Sequence, residues 1–332
     1  MNLYFHITKT GNLFHFISNL TNWHFSVRPS YKKYWLEKTG GLTSDDKKWL
    51  KKAEKLFQKY AFSNNNWGMV FLRRPENDVW KVAKNTFGKK DTEKFKEIYD
   101  YFLPRFDKIW SDERKLISLW KKELQETLST FAPKELANDL NNLFNVVPDF
   151  SYDIKVILLM SSPTQIGGGA NVGRGAITLE GSNMSPEKNV HSKLIFWHEL
   201  IHVYWEKNNE YMNMLNLYMN KANINSFSKD IPAKIVLKEA VMESLIPFGY
   251  LSQKHLAFNG KAYVSEKIKV LKSKGKTTKS MSYWRYYSLT RMFDTAKKYV
   301  TNQKAIDEKY FDKVVETLEE FKKDPMIVHH LS

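Results

Sequence analysis

The stretch that decides the fold and the chemistry of this chain is SPEKNVHSKLIFWHELIHVYWE, residues 185–206. The Ser-Pro-Glu at 185–187 supplies a cap, a first-turn proline and a first-turn acid, and it predicts a helix that continues to about Glu206. On this helix His198 and His202 are four residues apart, so both imidazoles project from one face. The stretch therefore predicts a helix that carries two metal ligands side by side.

Glu199 follows His198 directly in the run HELIH, 198–202. Zinc held by imidazoles lowers the pKa of a bound water, and an adjacent carboxylate can take the proton of that water and return it to a leaving amine. We therefore expect His198 and His202 to bind one Zn²⁺ per chain, with Glu199 as the general base. The alternative is a pair of structural histidines on an amphipathic helix.

A third ligand must come from elsewhere in the chain. The chain has no Cys, which excludes thiolate ligands, and Trp205 and Asn208 stand where the HExxHxxGxxH pattern of metzincins needs Gly and His. Downstream, the apolar helical segment LKEAVMESL, 237–245, carries Glu239 and Glu243 one turn apart, and buried carboxylates need partners. Glu239 can complete the site, and Glu243 can hydrogen-bond a ligating histidine. The alternative is two solvated helix charges.

HELIH followed by KEAVMES resembles the gluzincins, the thermolysin-like and aminopeptidase-like zinc peptidases whose third ligand is a Glu. The resemblance covers two short helices. It implies that His198, His202 and Glu239 bind zinc and that Glu199 is the general base. It also implies that Glu243 does not touch the metal but orients a zinc ligand. The 36 residues between His202 and Glu239 are more than is usual in that family and imply an insertion.

Upstream, GGGAN at 167–171 and ITLE at 177–180 are similar to the Gly-x-Met-Glu-Asn segment and following strand of the aminopeptidase-like gluzincins. This resemblance implies that Gly169, Ala170 and Asn171 lie along the substrate backbone. Ala170 stands where the family has the Glu that captures a free amine, so exopeptidase and endopeptidase activity both stay open. The alternative is a Gly-rich turn between strands.

An oxyanion donor is expected on a later helix, since such sites usually add one to the metal. The segment SYWRYYSL at 282–289 offers Tyr283, Tyr286 and Tyr287. We predict Tyr286 and Tyr287 as the catalytic candidates, with core packing as the alternative for each.

Hydrophobic periodicity predicts an α+β, predominantly helical chain. Residues 1–147 form an N-terminal helical region. Residues 148–332 form a zincin-like catalytic domain whose small mixed sheet comes from strands near 153–160 and 176–179, followed by helices.

The composition of the whole chain bounds its class. The chain has 332 residues, of which 42% are hydrophobic and 14% aromatic, values typical of a packed protein. No apolar run reaches the roughly 18 residues that span a bilayer, and the N-terminus lacks the pattern of a secretory signal. We therefore expect a cytoplasmic protein with no membrane partner.

The net charge of +16 raises an alternative, a nucleic-acid or polyanion-binding protein in which HELIH is vestigial or structural. The densest cluster, 254–293, has ten basic residues and one acid. However, each half of the chain carries the same excess of +8, and no nucleic-acid motif accompanies it. We expect a peptide or protein substrate and no nucleic-acid partner. A catalytically inactive peptide-binding pseudopeptidase is a further alternative, against which the intact Glu199 argues.

Overall fold

The computed structural model describes residues 2–23, 27–61, 66–73, 78–129, 134–148, 153–163, 168–173, 175–181, 189–221, 233–273 and 281–323. Within these ranges the chain is mostly helical and has one small mixed sheet, so the coarse fold class predicted from the sequence is confirmed. The predicted start of the central helix at 185–187 lies outside the described residues.

Four strands and fourteen helices make up the described part of the chain. The strands are β1 (Leu3–His6), β2 (Ile154–Leu159), β3 (Gly168–Asn171) and β4 (Ala176–Glu180). The helices are α1 (Lys9–Leu20), α2 (Pro29–Thr39), α3 (Ser44–Lys59), α4 (Trp67–Phe71), α5 (Val79–Phe87), α6 (Lys89–Ser129), α7 (Lys134–Phe144), α8 (Asn189–Tyr204), α9 (Asn209–Lys221), α10 (Ala233–Leu245), α11 (Tyr250–His255), α12 (Gly260–Ser273), α13 (Met281–Thr301) and α14 (Glu308–Lys322).

The chain forms two compact units, each made of two separate segments. The first consists of Met1–Thr130 and Phe150–Phe196, and the second of Phe131–Asp149 and Trp197–Ser332. Long-range pairing joins the segments of each unit: β1 at the N-terminus pairs with β2 in the first unit, and the backbone N–H of Ile306 donates to the Leu143 carbonyl in the second (2.8 Å). The domain boundary at residue 147 stays a prediction.

The sheet belongs to the first unit and has the order β1-β2-β4-β3. β1 and β4 both run parallel to β2, and β3 runs antiparallel to β4 at the edge. β2, with the sequence IKVILL, is almost wholly buried, as expected for an apolar strand between two parallel neighbours. The N-terminal strand β1 lies within residues 1–147, for which only helices were predicted.

Helix α1 is central to the helices of the first unit. It contacts α2, α3, α4 and α6, and every residue from Gly11 to Leu20 is buried. Phe14 packs against Phe57, Phe71 and Phe95, with ring centroids 5.4 to 6.1 Å apart. The aromatic residues of this region therefore form a core, which is their most frequent use in folded proteins.

Helix α10 has the corresponding place in the second unit. It contacts α9, α11, α13 and α14, and it is apolar on nearly all sides, as a buried helix must be. Its buried apolar residues are Val236, Leu237, Ala240, Val241, Met242 and Leu245. This packing takes Glu239 and Glu243 of the same helix into the interior, where they are 9% and 2% exposed. Two carboxylates are thus fixed inside the second unit.

Candidate metal centre

His198 and His202 converge on one point beside helix α8. They lie one turn apart, both are 6% exposed, and their Nε2 atoms are 3.1 Å from each other. The apolar residues of the same helix, such as Leu200 and Ile201, are fully buried and hold it in place. The histidine pair predicted from HELIH is therefore preformed.

Glu239 of helix α10 completes a group of three. Its Oε1 lies 3.5 Å from His202 Nε2, and its Oε2 lies 3.5 Å from His198 Nε2. Each of these residues, which we call the metal triad, offers a ligand atom within 4.8 Å of the other two. Zinc bonds of about 2.0–2.2 Å in tetrahedral geometry place ligand atoms about 3.3 Å apart. The metal triad can therefore hold a metal ion without large movement.

The other ring nitrogen of each histidine is also engaged. His198 Nδ1 lies 2.9 Å from the Ile246 carbonyl, which can only accept, so this nitrogen donates. His202 Nδ1 donates to Glu206 Oε2 at 2.8 Å, and Lys238 Nζ lies 2.9 Å from the same oxygen. With Nδ1 donating, the Nε2 of a neutral ring presents its lone pair. Both ligands are thus oriented for a cation before one binds.

The charges around the metal triad favour a positive ion. Burial opposes a charged imidazole, but the carboxylates of Glu239, Glu199 and Glu243 together raise the pKa of His198 to about 9. Burial likewise opposes ionisation of Glu239, yet Arg285 and His198 hold its pKa well below the usual range. A field that stabilises an extra proton on a buried ring also stabilises a divalent cation.

The sequence analysis missed Arg285 of helix α13, as it missed the role of Glu206. Arg285 Nη2 contacts Glu239 Oε2, and Arg285 Nε lies 3.1 Å from Glu243 Oε1. The expectation that Glu243 bonds a ligating histidine is replaced by this ion pair, because the Ile246 carbonyl and Glu206 already take the two Nδ1 atoms. A signal was available: two carboxylates on a buried helix require a cation.

The predicted general base lies in the same surroundings. Glu199 is 7% exposed on α8, and its negative charge helps to raise the pKa values of His198 and Arg285. It is thus a buried carboxylate whose charge acts on the metal triad.

The predicted tyrosines have different environments. Tyr286 is half-buried, its ring lies 6.0 Å from that of Phe248, and burial together with the charge of Glu243 raises its pKa to about 12. Tyr287 packs its ring against Phe321 of α14, with centroids 5.2 Å apart. The side chain of Tyr283 lies outside the described residues. The charge of this site therefore acts on Tyr286.

The predicted substrate segment forms a strand and not a turn. Gly169 and Ala170 lie in β3, the antiparallel edge strand of the first unit, opposite Leu179 and Thr178. A Cβ at Gly169 would lie 2.6 Å from the Ile195 side chain, so only glycine fits there. Asn171 pairs with Ile177 through the backbone, and its side chain lies outside the described residues.

Comparisons with protein-family models, with curated proteins and with solved structures found no match to this chain. Among the helices that the structure describes, none combines the length and hydrophobicity of a membrane span.

Glu206→Gln should weaken zinc binding by about 10-fold or more, because it removes the negative charge that makes the His202 ring a stronger electron-pair donor to the metal. Competition with a chromogenic chelator measures the dissociation constant. Glu210→Gln is the matched control, since Glu210 is an exposed acid at the start of α9. Equal zinc affinity in Glu206→Gln and Glu210→Gln would contradict the assigned role of Glu206.

Proposed function

We propose that this chain is a zinc-dependent peptidase of the gluzincin type. The observation that carries the proposal is the buried metal triad of His198, His202 and Glu239, together with the buried carboxylate of Glu199, whose charge acts on His198. Two imidazoles and one carboxylate form the ligand set of catalytic zinc sites in which a fourth position is open. Structural zinc sites usually have four protein ligands, and among the described residues no fourth joins the metal triad, which favours a catalytic role.

Zinc, when bound, supplies a Lewis acid that polarises a carbonyl and lowers the pKa of water. Glu199 accepts a proton from the attacking water and passes it to the nitrogen of the leaving group. Tyr286 stays protonated because its pKa is raised, so its hydroxyl can donate to the oxyanion. The ring of Tyr287 packs on Phe321, which favours Tyr286 over Tyr287 as the oxyanion donor.

Several cations of the 254–293 cluster are already paired with acids of the second unit. Lys254 lies 2.7 Å from Asp139, and Lys261 and Arg291 lie 3.7 Å from Asp294 and Glu320, respectively. Arg285, also in this cluster, is committed to the metal site. These pairs reduce the charge that the cluster can offer a polyanion and support the peptidase over the nucleic-acid alternative.

Glu199→Gln should keep about one zinc per chain and lose peptide cleavage by about 100- to 10,000-fold, because an amide cannot accept the proton of water. Cleavage of an unstructured protein substrate, followed by mass spectrometry, measures the activity, and elemental analysis measures the metal. The double variant His198→Ala, His202→Ala should lose both. Zinc retained undiminished in that double variant would overturn the site, and full cleavage by Glu199→Gln would overturn the mechanism.

Tyr286→Phe should lower kcat by about 100-fold with little change in KM, because the lost hydroxyl acts on the oxyanion and not on the bound substrate. Tyr287→Phe is the control, as its ring packing on Phe321 survives the substitution. If the two variants have the same kcat, Tyr286 is not the oxyanion donor.

A further inference from the structure

Arg285 links the metal ligand Glu239 to the neighbouring carboxylate of Glu243. The two acids are four residues apart on α10, where like charges repel. The guanidinium contacts both, through Nη2 at Glu239 Oε2 and through Nε at Glu243 Oε1. The guanidinium donates a hydrogen bond to Glu239 and contacts Glu243 as an ion pair, a reach over two fixed oxygens that an ammonium does not have.

The two oxygens of Glu239 differ in their surroundings. Oε1 lies 3.5 Å from His202 Nε2, whereas Oε2 contacts the guanidinium as well as lying 3.5 Å from His198 Nε2. An oxygen that accepts a charge-assisted hydrogen bond from Arg is a poorer metal ligand than its neighbour. The Glu239 carboxylate is therefore oriented to bind a metal through Oε1 alone, because Oε2 is occupied by Arg285.

We propose that Arg285 is a positioning residue that holds Glu239 as a one-oxygen ligand. This inference rests on the metal-binding part of the proposed function, not on peptide hydrolysis. Restricting Glu239 to one oxygen leaves a coordination position open, which a catalytic metal needs and a two-oxygen carboxylate would fill.

Glu243 anchors the guanidinium from the other side. Glu243 is 2% exposed, while the side chain of Arg285 is 29% exposed and would be free to turn toward water without that anchor. Glu243 Oε2 and Arg285 Nε both have no hydrogen-bond partner among the described residues, so the contact between Glu243 Oε1 and Arg285 Nε is an ion pair and not a hydrogen bond. Glu243 thus acts on the metal triad through Arg285.

A simple charge-balancing role for Arg285 makes the opposite prediction. If only its charge matters, Lys at 285 should bind zinc as the wild type does, and Met should bind it more tightly because a repelling cation is gone. If position matters, both substitutions free the Glu239 carboxylate to rotate, and the cost of ordering it again on the metal weakens binding. The change in zinc affinity therefore separates charge balance from positioning. Positioning predicts weaker binding in both variants, whereas charge balance predicts tighter binding in the Met variant and no change in the Lys variant.

The experiment reconstitutes the metal-free full chain with Zn²⁺ and with Co²⁺ for the wild type, Arg285→Lys, Arg285→Met and the control Arg291→Lys. We expect Arg285→Lys to weaken zinc about 10-fold or more in chelator competition, with Arg291→Lys unchanged. In the Co²⁺ form, binding by both oxygens of Glu239 raises the coordination number, so the visible absorption of Arg285→Lys should weaken and shift.

Wild-type affinity and an unchanged Co²⁺ spectrum in Arg285→Lys would overturn the positioning role and leave the zinc site standing. A wild-type chain that binds no zinc would overturn the site and this inference together. Arg285→Met leaves two buried carboxylates without their cation and can unfold the chain. The Lys variant, which keeps the charge and is checked by circular dichroism, therefore carries the test.

Discussion

Two carboxylates buried on one helix are the constraint from which the rest of the site follows. Glu239 and Glu243 lie in the interior because α10 is apolar on nearly every side. A buried carboxylate without a cation costs several kcal/mol, so positive charge must be supplied nearby. Arg285 supplies part of this positive charge. The raised pKa of His198 indicates that the surroundings also stabilise a further positive charge. The two imidazoles and the carboxylate of the metal triad could hold a metal ion.

Each ligand of the metal triad is held by a separate group. A backbone carbonyl of Ile246 orients His198, Glu206 orients His202, and Arg285 holds Glu239. Such supports reduce the rotamer freedom that a ligand would otherwise lose when it binds, which raises affinity without adding a contact to the metal. They also connect the candidate metal site to α8, α10 and α13, so the packing of these helices sets its geometry.

Sequence reasoning succeeded where the geometry is local. The four-residue spacing of His198 and His202 brings their imidazoles together in any helix, and the apolar neighbours of Glu239 indicate burial wherever that helix packs. Glu206 is also local, four residues after His202, and its role could have been predicted from that spacing.

Arg285 and the Ile246 carbonyl reach the site through the packing of separate elements, and a carbonyl carries no side-chain signal. The parallel pairing of Leu3–His6 with β2, which joins residues 150 positions apart, is non-local in the same way. Local spacing therefore predicts the convergence of His198 and His202, but not the groups on other elements that orient the side chains of the metal triad.

The most direct test of a zinc site at the metal triad is diffraction on both sides of the zinc absorption edge, from crystals of the zinc-supplied protein. The account predicts an anomalous peak bonded to the Nε2 atoms of His198 and His202 and to one carboxylate oxygen of Glu239, with Arg285 on the other oxygen. An empty triad, or zinc bound only elsewhere on the chain, would contradict it.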